Sequence, residues 1–81
     1  MDKQRRYEAE NIAGRLDKIV SELVDLADEE ESAFNSRPIG LQHGVSGQVS
    51  QEAYEEIRSI ADVISLEAEK LHEVAKARPE K

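Results

Sequence analysis

Apolar residues recur along the first part of the chain at helical spacing. Ile12, Leu16, Ile19, Leu23 and Leu26 follow steps of four, three, four and three, which is the seam of a coiled coil. Ala13, Val20, Ala27 and Phe34 form a second line one residue further on, at intervals of seven. At about 100° per residue the two lines make a stripe roughly 160° wide, broader than a two-stranded coiled coil uses. Gly14 is the only glycine before residue 35 and no proline interrupts this stretch. The pattern predicts a helix over 3–34, capped by Asp2 and stopped by Asn35 and then Pro38.

A second amphipathic segment follows. Ile57, Ile60, Ile64, Leu71 and Val74 mark one side, joined by Ala53, Ala61, Ala68 and Ala75. Alanines at steps of seven would let a neighbouring helix approach closely. Ser50 is the natural N-cap, with Glu52 in the first turn and Val49 and Tyr54 at the positions of a hydrophobic staple. This predicts a helix over 51–78 that ends before Pro79. The connection, 35–49, is long for a helix–helix loop, where roughly 2 to 8 residues are usual.

The fold class expected is all-α: two long antiparallel helices in a hairpin, forming one domain. Each stripe is too wide for a single partner helix to cover, so the hairpin is expected to dimerise into a four-helix bundle. The interface positions on the first helix are Ile12, Leu16, Ile19, Val20, Leu23, Val24 and Leu26. On the second they are Ile57, Ile60, Ala61, Val63, Ile64, Ala68, Leu71 and Val74. Leu66 points the other way. Glu67 interrupts the second seam, and a pairing with Arg15 or Lys18 that fixes helix register is expected.

Composition strengthens the case for association. A chain of 81 residues has a marginal core of its own and usually relies on disulfides, a metal or oligomerisation. With no cysteine, disulfides and thiolate metal sites are excluded, and the chain fits a reducing, cytoplasmic setting. No apolar run approaches the roughly 18 residues of a membrane span, so no membrane role is expected.

Charge adds a second feature. The net charge is −7, and all of it lies between residues 22 and 60, where nine acids face only Arg37 and Arg58. A hairpin gathers these acids at its loop end and leaves Lys3, Arg5, Arg6, Lys76, Arg78 and Lys81 at the end carrying both termini. Asp28, Glu29, Glu30 and Glu31 lie where the helix dipole disfavours negative charge, a broken local rule that points to function. A second, basic protein is therefore an expected partner, docking on Asp25, Asp28, Glu29, Glu30, Glu31, Glu52, Glu55 and Glu56. Ile39, Leu41 and Val45 of the loop either cap the bundle or join that surface. The charge asymmetry also favours an antiparallel homodimer, which sets each acidic end beside the partner's basic end.

The chemistry that remains is thin. Three loop glycines, Gly40, Gly44 and Gly47, lack the lysine of a phosphate-binding loop. Glu69 and His72 have the spacing of di-iron bundle ligands but fall outside the expected core. His43 is a lone loop histidine. No catalytic, cofactor or metal site is expected, and net acidity opposes direct nucleic-acid binding. The function expected is a small acidic protein-interaction module: a dimeric adaptor, regulator or inhibitor. The alternatives are an acidic nucleic-acid mimic that blocks a DNA- or RNA-binding protein and a purely structural oligomerisation unit.

Overall fold

The computed structural model describes residues 1–77. Helix α1 spans Lys3–Asn35, a single-turn helix α2 spans Ile39–Gln42, and helix α3 spans Val45–Lys76. The expected end of the second helix at Arg78 and Pro79, and the terminal base Lys81, lie outside the described residues. Helices α1 and α3 run antiparallel along each other as a rod with extents of 65 × 15 × 12 Å. The radius of gyration is 18.3 Å, against about 12 Å for a globule of this length. The molecule is one layer of two helices.

Local chemistry accounts for the start and end of α1. Asp2 caps it, its Oδ1 accepting the Arg5 N–H at 2.9 Å. The helix ends at Asn35 without any left-handed residue. Ser36 closes it instead, donating its N–H to the Ser32 carbonyl at 3.0 Å and its hydroxyl to the same oxygen at 2.9 Å. The Gln42 amide then reaches back to the carbonyls of Arg37 at 2.8 Å and Asn35 at 3.4 Å. The bonds to the Ser32 and Asn35 carbonyls satisfy acceptors that every helix C-terminus leaves open.

The connection is shorter than the sequence implies. The expected loop over 35–49 contains α2 and the first turn of α3, and α3 starts at Val45 with Gly44 as its N-cap residue. Ser50 is therefore no cap; it lies inside the helix, is buried, and donates its hydroxyl to Glu30 at 2.5 Å. The staple fails with it, since Val49 is exposed and Tyr54 packs edge-on against Phe34, ring centres 5.9 Å apart. Gly47 explains the earlier start. A Cβ there would collide with the backbone carbonyl of Gln42 and lie 2.6 Å from the Leu41 oxygen, so only glycine lets α3 begin this close to α2. Ile39, Leu41 and Val45 do not cap the hairpin; they are 72%, 61% and 82% exposed.

The packed seam differs from the one expected. On α1 it runs through Ala9, Ala13, Leu16, Val20, Leu23, Ala27 and Phe34, all buried or half-buried. On α3 it runs through Gly47, Ser50, Tyr54, Ile57, Ala61, Ile64, Ala68, Leu71 and Ala75. The second line of the α1 stripe, with Leu16 and Leu23, is thus the contact within the chain. Ile12, Ile19 and Leu26 lie beside it, 44%, 42% and 49% exposed. Alanines in both halves of the seam, at alternate positions from Ile57 to Ala75 on α3, allow the helices to close until large flanking side chains no longer fit between them. Among the described residues, the buried apolar side chains are six alanines and Tyr54.

Candidate functional site: two unlike faces of the hairpin

The seam divides the hairpin into two long faces. One is closed by polar contacts across the helices. Both ring nitrogens of His72 are engaged, Nδ1 with Glu10 at 2.6 Å and Nε2 with Asp17 at 2.8 Å. Asp17 foremost, and then Glu10, accepts an imidazolium N–H, and together they hold the His72 pKa above its ordinary value. Four turns along α3, Arg58 bridges Asp28 at 2.8 Å and Glu31 at 2.6 Å, with its guanidinium 5.3 Å from the centre of the Tyr54 ring. Val24 lies between Asp17 and Glu31 on this polar face, two turns from each, and not beside Ile19 and Leu26.

These contacts revise the reading of the acids. Asp28 and Glu31 have a cation in Arg58, and Glu30 accepts the Ser50 hydroxyl. The unfavourable helix-dipole position is thereby offset within the chain. Among the described residues Glu52 and Glu55 accept only from Gln48 and Gln51, one turn before them, and they lie in the helix interior because α3 starts earlier than expected. Asp25, Glu29 and Glu56 are exposed. The acids consequently point to several sides of the rod. Sequence reasoning missed the Arg58 and His72 bridges because residues about 27 to 62 apart meet only once the seam register is known. The signal available was that both fall on one flank of the α3 seam.

The opposite face carries exposed apolar side chains. Ile12, Ile19 and Leu26 line it from α1, and Ile60, Val63 and Val74 from α3, all between 42% and 59% exposed. The cross-helix contacts of His72, Arg58 and Phe34 set the levels of the two helices. They place Ile12 level with Val74, Ile19 with Glu67, Leu26 with Ile60 and Ala33 with Ala53. The expected interface residues are therefore split. Leu16, Val20, Leu23, Ile57, Ala61, Ile64, Ala68 and Leu71 serve the seam, and the six just named lie on the open face.

Glu67 lies on that open face and pairs with Lys70 of its own helix at 3.0 Å. The expected cross-helix pairing with Arg15 or Lys18 is not formed, because the level of Glu67 on α1 is taken by Ile19. At the end carrying the termini, Lys3, Arg6, Ala75 and Lys76 line a shallow depression. Glu69 and His72 do not converge on a ligand site, and among the described residues no group of three or more His, Asp or Glu is arranged to hold a metal ion. His43 is exposed at the end of α2. No helix among the described residues is long and apolar enough to cross a membrane.

No family model, no curated protein and no solved structure matches this chain.

Proposed function

We propose that the protein is a helical interaction module that acts by binding protein through the open apolar face, as a small adaptor, regulator or inhibitor. One observation carries this reading: Ile12, Ile19, Leu26, Ile60, Val63 and Val74 are exposed along one side of the rod, while most of the buried apolar positions of the seam are alanines. Monomeric proteins rarely expose a contiguous apolar strip of this kind, and such strips mark interaction sites. A role in binding and not in catalysis is supported by His72, the best-placed acid–base group. Its two ring nitrogens are occupied by Glu10 and Asp17, so it joins helices and has no free nitrogen for a substrate. The lack of cysteine suits a reducing cytoplasm.

The acidic loop end supports the reading less. Asp28, Glu30 and Glu31 are turned toward α3, and the remaining acids are spread around the rod. A nucleic-acid mimic needs its charges in phosphate-like rows, an arrangement this distribution does not favour.

The test is a variant carrying Leu26→Glu and Ile60→Glu. Self-association and capture of other proteins should both be lost, while circular dichroism retains the helices. A variant that associates as well as the unsubstituted chain would remove the open face from the account.

A further inference from the structure

The occupant of the open face follows from charges at its edges. Three residues on from Ile12, Ile19 and Leu26, about 60° further round the helix, come Arg15, Glu22 and Glu29. The matching edge of α3 carries Glu56, Val63 and Lys70. Glu22 is level with Val63, Arg15 with Lys70 and Glu29 with Glu56, in the register set by the cross-helix contacts. Each edge therefore has a central residue with opposite charges seven residues to either side. Such an edge is complementary to its own reverse.

We infer that the open face is covered by a second copy of this chain, loop ends opposed, about a two-fold axis at the level of Glu22 and Val63. This rests on the proposed role of the face as the binding surface and names its partner. In this arrangement α1 lies along the partner's α1 and α3 along the partner's α3, both antiparallel. Arg15 then meets the partner's Glu29, and Lys70 meets the partner's Glu56. Both pairs occur twice by symmetry. Large side chains fall over small ones: Ile12 over the partner's Ala33 and Val74 over the partner's Ala53. Among the described residues Arg15, Glu29 and Glu56 have no ion-pair partner within the chain, so these charges are available.

The competing two-fold arrangement, loop ends together, sets α1 on the partner's α3 at equal levels. Arg15 would then face the partner's Lys70, and Glu29 the partner's Glu56, both like-charged. The strip is also large enough for a dimer. From Ile12 to Ala33 it runs about 33 Å, and two helices give a width of roughly 20 Å. That footprint, on the order of 650 Å² per copy, approaches the roughly 800 Å² of a standard specific interface. Two contacts count against the arrangement: Glu22 lies near the partner's Glu22, and Glu67 lies beside the partner's Ile60.

The experiment compares five variants of the full chain by dissociation constant and by oxidative cross-linking. Arg15→Glu should weaken self-association on the order of tenfold, since each lost pair is repeated by symmetry. Glu29→Arg should do the same, and the two changes together should restore the original value. Val63→Cys, in a chain with no other cysteine, should form a disulfide-linked dimer, while Leu66→Cys, on the outer side, should not. If the chain dimerises but Arg15→Glu tightens it and Val63→Cys fails to cross-link, the loop ends lie together and the inferred arrangement is wrong. The open face would still be the binding surface. If the unsubstituted chain stays monomeric at every concentration, the second copy is not its occupant; capture of another protein that Leu26→Glu and Ile60→Glu abolish would then preserve the broader reading alone.

Discussion

The two long faces of the hairpin are built from the same two helices and are finished in opposite ways. On one, His72 and Arg58 each hold two carboxylates of α1, so polar groups meet their partners inside the chain. On the other, Ile12, Ile19, Leu26, Ile60, Val63 and Val74 are exposed. The polar face can remain in water because its charges are solvated and paired, at little net gain. The apolar face cannot do so without cost, roughly 25 cal/mol for each Å² of exposed apolar surface. The difference shows where the molecule is finished and where it is not.

The largest effect should come from charging the apolar face. Leu26→Glu with Ile60→Glu should reduce self-association at least about a hundredfold, through lost burial and buried charge, as read by light scattering. The next concerns the seam that separates the faces. Ala68 is 0% exposed, and Ala68→Leu should cost about 1–3 kcal/mol by overpacking, seen as a lower urea midpoint. Gly47→Ala should cost a similar amount, because its methyl group meets backbone and not a movable side chain. Had the sequence reading of 35–49 as an open loop been right, that substitution would be silent.

Smaller effects sharpen the contrast. Glu67→Leu completes the apolar strip and should tighten self-association severalfold, at about 0.8 kcal/mol per buried methylene partly offset by losing the Lys70 pair. On the polar face, pH is the lever. Folding raises the His72 pKa above 6.5, so its stabilising contribution is complete below that ordinary value. It is lost as pH rises through the raised folded value. Thermal melts across that window should show a modest decline that His72→Gln removes. A melt that rises with pH there would contradict the bridge to Glu10 and Asp17.

Much of this was legible in the sequence, and the errors have physical causes. Two amphipathic helices and the Asp2 cap follow from local rules, and both appear. The choice of seam does not. Ile12, Ile19 and Leu26 are more hydrophobic than Ala13, Val20 and Ala27, so hydrophobicity alone selects the wrong line. Close packing of two helices favours small residues, and that preference only emerges when both helices are considered together. The start of α3 was misread because Ser50 has the chemistry of a cap. Its hydroxyl is instead satisfied by Glu30, a partner 20 residues away. Glycines read as loop residues included one, Gly47, that is needed inside a helix for close approach. The acids near the end of α1 looked uncompensated because Arg58 is remote in sequence and adjacent in space.

The central claim, that the apolar face is closed by a second copy, is tested most directly by solution mass. Light scattering on a size-exclusion column, across a tenfold dilution series, should give about twice the 9.1 kDa chain mass, falling toward that of one chain at the lowest concentrations. A mass of one chain throughout, with full helical content, would contradict it.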